Sequence, residues 1–220
     1  MELAAVIQDK SLLKHPFYVL WLEGKLPKEA LQKYAIQYYQ LVAHLPRFIS
    51  AMHSRCGDET VRKQLLRNLV EEEGLHQKSH ARLWIDFAEE MGVDKAEINS
   101  IPLLPETKRA VATIMDACER SLATGAGALF AYEGQVPQIS EEKILGLRKF
   151  YGINTRKALM FFEVHAVMDK KHAAVWSDLA KYLDAEKEAA ESGKKTADAL
   201  WGMFDGMYRE FVPEKVKMSC

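Results

Sequence analysis

The chain has 220 residues, 48% of them hydrophobic and 28% charged, a balance that excludes disorder and collagen-like repeats. Thirty Lys and Arg stand against thirty-one Asp and Glu, a net charge of −1, so the electrostatic footprint of a nucleic-acid binder is missing. No apolar run approaches the ~20 residues that span a bilayer, and the opening MELAAVIQDK lacks the basic-then-apolar layout of a secretion signal. Cys56, Cys118 and Cys220 are odd in number and far apart, which reads as a reducing, cytoplasmic setting without disulfides. The length suits a single domain over 1–220.

In chain order the periodicity is helical throughout, with apolar residues recurring at i, i+3, i+4 and i+7. Residues 2–14 read as a short helix broken by His15-Pro16; Pro16 opens a second one that stops at Gly24. Pro27 starts a helix over 27–44, and Pro46 interrupts before 46–55. Residues 59–91 read as one strongly periodic helix with a kink at Gly74 and a C-cap at Gly92. After a loop holding Pro102 and Pro105 come helices at 106–123, 126–136, 139–151 and 155–186. The charged stretch 184–195 reads as a solvated loop, 195–211 as the last helix, and 211–220 as a frayed tail. The expectation is an all-α fold of about eight helices with a buried pocket between them.

Two segments carry ionisable side chains into apolar surroundings. In LVEEEGLHQKSHARLW, Glu73 and His80 are seven apart, within about 20° on one helical face. In FFEVHAVMDKKHAAVW, His165, Asp169 and His172 are spaced by four and three and share one stripe. A third segment, GALFAYEGQVP, sets Glu133 among small and apolar residues. Three buried carboxylates and three imidazoles need a compensating charge. Two divalent cations supply it, and this donor set suits iron, manganese or zinc in a dinuclear core site. Glu73-x-x-His76 and Asp169-x-x-His172 also match a ferritin-like pattern, in which His76 replaces His80 and Glu72 or Glu163 joins. His15, His44 and His53 read as structural, and Cys118 is a nucleophile only with a base beside it. No P-loop, GxGxxG, GxSxG or CxxC pair is present.

Taken together, Glu-x6-His, an isolated Glu and His-x3-Asp-x2-His resemble the haem-oxygenase-like dimetal oxidases, related to the thiaminase-II and pyrroloquinoline-quinone-synthase folds. HPFYVLW, AIQYYQ, SAMHSRC and YEGQVPQISEEKILGL narrow the resemblance to the family of the chlamydial protein associating with death domains, over about residues 8–210. The resemblance implies a dimetal, O2- and reductant-dependent oxygenase making para-aminobenzoate for folate synthesis from its own side chains, with di-iron or iron–manganese as the cofactor. Tyr18 would give the ring and the carboxylate carbon, Lys143 the amine, and Tyr34 and Tyr38 would relay electrons or radicals; Tyr39 reads as packing. Without the resemblance, Tyr18 is a core aromatic and Lys143 a surface lysine beside Glu141 or Glu142.

The stretch EEEGLHQKSH departs from the family spacing, and a one-residue shift would put Glu72 in the place of Glu73. No cysteine near Glu133 matches thiaminase II, and no residue marks a haem ligand. The alternatives are a dimetal oxidase acting on an external small molecule, a pyrroloquinoline-quinone-synthase-like oxidase, and a non-catalytic interaction protein. O2 is the expected partner, with neither nucleic acid nor membrane, and the flat apolar helix faces suggest a homodimer.

Overall fold

Proline and glycine punctuate a chain whose apolar stripes all have helical period, and the computed structural model, which describes residues 3–75 and 77–218, is helical without a strand among them. His76 and Cys220 lie outside the described residues. Helix α1 (Leu3–Asp9) leads through a 3-10 turn (Leu12–Lys14) to α2 (Pro16–Leu22). Next come α3 (Lys28–Arg55), α4 (Glu59–Glu73), α5 (His80–Glu90) and the one-turn α6 (Glu97–Ser100). The second half holds α7 (Pro105–Arg120), α8 (Leu122–Glu133), α9 (Val136–Tyr151), α10 (Arg156–Tyr182), α11 (Glu186–Phe211) and a short α12 (Glu214–Lys217).

The described residues form twelve α-helices rather than about eight: the segment expected over 2–14 holds a helix and a separate 3-10 turn, the helices expected at 126–136 and 139–151 begin at Leu122 and Val136, and part of the tail expected to fray over 211–220 is the helix Glu214–Lys217. Three further differences bear on the packing. Helix α3 runs through Pro46 without a break, because Leu45, Pro46, Phe48, Ile49 and Met52 are all buried on neighbouring helices; that packing outweighs the ~3 kcal/mol a mid-helix proline costs. The segment 59–91 is two helices. Gly74 takes φ +65°, and a Cβ there would lie 2.5 Å from the Ser79 nitrogen, so the chain turns sharply and Ser79 restarts it as the N-cap of α5. The charged run after Asp184 is the start of α11, because Ala189, Ala190, Ser192 and Gly193 form a buried stripe beneath its exposed glutamates.

Helix α8, LATGAGALFAYE, is buried on almost every side. It lies against α11, α10 and α7, while α10 also covers α9 and α5. Small residues bring α8 and α11 together: a Cβ on Gly127 would sit 1.9 Å from the Ala189 carbonyl oxygen, and one on Gly193 3.0 Å from that of Gly127. Helix α2 is anchored differently. The His15 Nδ1 accepts from the Phe17 N–H at 3.1 Å, and its Nε2 donates to Asp205 on α11 at 3.1 Å. This cap sets the direction in which Tyr18, Leu20 and Trp21 enter the core.

Replacing Gly127 by Ala should cost about 2–3 kcal/mol and lower the unfolding temperature by roughly 5–10 °C, because the blocking atom is backbone. Gly57→Ala, with nothing within 4 Å of the added carbon, should melt like wild type; equal melting curves for the two variants would contradict the close approach of α8 and α11.

Candidate metal centre

Four helices deliver six ionisable side chains to one buried place. On α4 the inward positions are Val61, Leu65, Asn68 and Glu72, spaced 4, 3 and 4, so the stripe that packs the helix ends on a carboxylate. His80 is the first residue of α5, brought beside Glu72 by the turn at Gly74. Glu133 ends α8, and α10 presents His165, Asp169 and His172 on its buried face. Glu72 and Glu133 are each 1% exposed.

Glu72, not Glu73, is the α4 carboxylate in this cluster. Glu73 is exposed and faces a surface groove beside Arg47 and Glu119. A spacing of seven puts residues 73 and 80 on one face only in an unbroken helix, and the break at Gly74 removes that phase. Glu163, the other alternative, is exposed and pairs with Arg148.

The polar atoms face one another rather than ordinary partners. One ligand atom from each of Glu72, His80 and His165 lies within 4.8 Å of the other two. The His80 Nδ1 is 2.8 Å from Glu72 Oε2, yet off the direction a hydrogen bond requires. Both ring nitrogens of His80, both oxygens of Glu72 and the Glu133 Oε1 therefore have no hydrogen-bond partner. Buried polar atoms left this way are costly, and a cation held between Glu72, His80 and His165 would satisfy several of them.

The remaining donors are tied from behind. His165 Nδ1 donates to the Phe161 carbonyl at 2.6 Å, leaving Nε2 for the cluster. Trp176 Nε1 donates to Glu133 Oε2 at 2.7 Å. His172 Nδ1 lies 3.4 Å from Asp169 Oδ1, 3.7 Å from Glu133 Oε2 and 3.9 Å from Glu72 Oε1. Burial raises the Glu133 and Asp169 carboxyls above their usual range, and each is also repelled by Glu72. Burial pulls the His172 imidazole down, but Asp169 and Glu133 outweigh it and push it up to about 10. His165, whose burial is compounded by His80, is held well below its usual range. Positive charge is thus demanded where the chain supplies little of its own.

Beside this cluster lies an aromatic compartment. Lys143 on α9 is 3% exposed, not at the surface with Glu141, which pairs with Lys170. Its Nζ donates to the Tyr34 hydroxyl and lies 5.2 Å from the Tyr18 ring centre, 4.9 Å from that of Tyr34, 5.0 Å from that of Tyr38 and 5.5 Å from that of Trp21. Burial alone drives this amine well below the usual lysine range. The Tyr18 ring is 4.8 Å from Phe204, and its buried hydroxyl has no hydrogen-bond partner. Tyr34 and Tyr38 have ring centres 5.3 Å apart.

Tyr132, which sequence reasoning passed over, continues the series. It is buried, its ring centre is 6.3 Å from that of Tyr38, and it feels the charges of Asp169 and Glu72. Its one sequence signal is adjacency to Glu133. Cys118 is buried and its thiol is pushed up by burial, which leaves it unreactive; His15 is a helix cap. No described helix is long and apolar enough to cross a membrane.

The sequence pattern of the haem-oxygenase-like family described as iron-containing redox enzymes matches residues 32–202. A 4-aminobenzoate synthase of Nitrosomonas europaea is 38% identical over 96% of this chain and 91% of its own. That of Chlamydia muridarum is 38% identical over 93% and 87%. Among solved structures, a domain of unknown function with a heme oxygenase-like fold from Shewanella denitrificans superposes with a TM-score of 0.80 at 17% identity, covering 95% of this chain and 90% of that one.

Two measurements check the site. Glu72→Gln should weaken Fe2+ binding by more than the ~10–100-fold typical of an outer hydrogen-bond partner, while Glu73→Gln binds as wild type; the reverse ranking would return the ligand to Glu73. Lys143→Met should raise the unfolding temperature, and more at pH 6 than at pH 9. Folding strips a proton that the unfolded lysine keeps up to its ordinary 10.5, so the cost it imposes shrinks as pH rises toward that value. A gap independent of pH would mean that the amine is charged in the folded protein.

Proposed function

The chain belongs to the haem-oxygenase-like family of iron-containing redox enzymes and is an oxidoreductase, and from that premise we propose that it makes 4-aminobenzoate from two of its own side chains. The observation carrying this reading is the position of the Lys143 amine, buried among the rings of Tyr18, Tyr34 and Tyr38 with no acidic partner among the described residues to hold its proton. A primary amine and a phenol ring are the two pieces of the product, and here they are neighbours before any ligand enters.

Glu72, His80, Glu133, His165, Asp169 and His172 would hold a pair of divalent cations, iron with iron or with manganese. Such a pair, when bound, supplies oxidising power from O2 and an external reductant. The chain's own residues do the rest. Tyr18 would give the ring and its Cβ, the Cα–Cβ bond breaking as Cβ is oxidised to the carboxylate. Lys143 would give the nitrogen, its Cε–Nζ bond breaking oxidatively while the phenol oxygen leaves as water; O2, with the external reductant, is the oxidant for both cleavages. Burial pulls the lysine amine below its usual range, and so toward the nucleophilic neutral form. Tyr34 receives the hydrogen bond from Lys143 and so keeps the amine beside the ring. Tyr132, Tyr38 and Tyr34 form a sequence of phenols from the neighbourhood of Asp169 to that of Tyr18, each able to pass on an electron with its proton. Holding both reactants on one scaffold removes the entropy of bringing them together, and the enclosing aromatics exclude water from the reacting ring.

Protein made with ring-labelled tyrosine, given Fe2+, reductant and O2, should release labelled 4-aminobenzoate at no more than about one molecule per chain. Tyr18→Phe should release none, and Lys143→Arg should give at most a trace. Labelled product from Tyr18→Phe, or many turnovers per chain, would transfer the reading to an external substrate.

A further inference from the structure

Glu71 and Glu72 are consecutive in the last turn of α4 and point about 100° apart around its axis. They address opposite edges of the His172 ring. Glu71 Oε2 lies 2.8 Å from Nε2, and Glu72 Oε1 lies 3.9 Å from Nδ1. A carboxylate oxygen can only accept a hydrogen bond, so the hydrogen on this edge belongs to Nε2. The inward edge, facing Asp169, Glu133 and Glu72, is the one left to bind.

We propose that Glu71 is a positioning residue: it holds the Nε2 hydrogen of His172 and thereby commits this imidazole to a metal through Nδ1. The assignment rests on the metal-centre reading above and adds to it a group that is not a ligand. Comparison with His165 shows why it matters. His165 is oriented from within α10, by the Phe161 carbonyl one turn back, and presents Nε2. The two imidazoles of one helix therefore offer opposite nitrogens. His172 has its outer edge held from a different helix, by a side chain that is 41% exposed. Without Glu71, the ring loses the partner that selects its tautomer and its rotation about χ2. Carboxylates that orient a ligating imidazole in this way raise its basicity as well as aim it. The contact also fastens the end of α4, which carries Glu72, to α10, which carries three donors.

Zn2+ is a suitable probe, being diamagnetic and matched to imidazole and carboxylate donors. It would be titrated into the metal-free full chain labelled with 15N-histidine, with Glu71→Ala, Glu71→Gln and Glu73→Ala alongside. In the wild type, long-range 1H–15N spectra should place the His172 hydrogen on Nε2 and the metal on Nδ1. Glu71→Ala should bind Zn2+ about 10–100-fold more weakly and show the bound metal divided between the two nitrogens of His172, in a metal-free chain that is still folded. Glu71→Gln, whose amide oxygen still accepts, should recover most of the affinity, and Glu73→Ala should match wild type. Wild-type affinity in both Glu71 variants, or a Zn2+-bound His172 with its hydrogen on Nδ1, overturns the assignment while leaving the metal centre standing. Absence of Zn2+ binding by the wild type overturns both.

Discussion

A carboxylate taken out of water must find a positive charge, and here three of them, Glu72, Glu133 and Asp169, are buried within reach of one imidazole. Their mutual repulsion is what an apolar helical core would ordinarily avoid. The surrounding structure is arranged to keep them there. The turn at Gly74 brings the end of α4 to the start of α5, Trp176 holds Glu133 in place, and α10 lies across all of it. Taking the centre away would remove the reason for each of these contacts.

Next to this polar focus sits its chemical opposite. Lys143 enters a compartment walled by rings, and the helix that carries it brings no acidic partner inward. One region favours added positive charge and the other expels it. Phenols occupy the boundary, Tyr132 on the side of Asp169, Tyr34 and Tyr18 on the side of the amine, and Tyr38 facing both. A phenol suits such a boundary because it is neutral on either side and yields a proton only when it yields an electron. The two halves are thus joined by neutral phenols.

Much of this was legible in the residues. The all-helical class follows from apolar period, and the stripe of His165, Asp169 and His172 from spacing alone, because α10 is unbroken through all three. Glu133 stood out as the one charge in an apolar helix. Glu72 was hidden behind an assumption of continuity. Counted from Val61, Leu65 and Asn68, the α4 stripe points to 72, whereas counting back from His80 crosses a turn where helical phase is lost. Tyr132 was hidden because a tyrosine in an apolar segment packs as readily as it reacts. Helix α11 was read short because its glutamates sit on the face opposite the small residues that bury it. The role of Glu71 could not be read at all, since it depends on which edge of a ring on another helix it meets.

The depth of Tyr18 has one more consequence. Its ring is 1% exposed and touches Phe17, Trp21 and Phe204. On the proposed reading, a molecule that has given up that ring keeps a hole in its interior. Voids of aromatic size cost roughly 3–5 kcal/mol, a large share of the ~5–15 kcal/mol that holds a typical domain folded. A spent chain would therefore be a loosened one, open to proteolysis that the fresh chain resists, so that use and disposal are linked by packing alone.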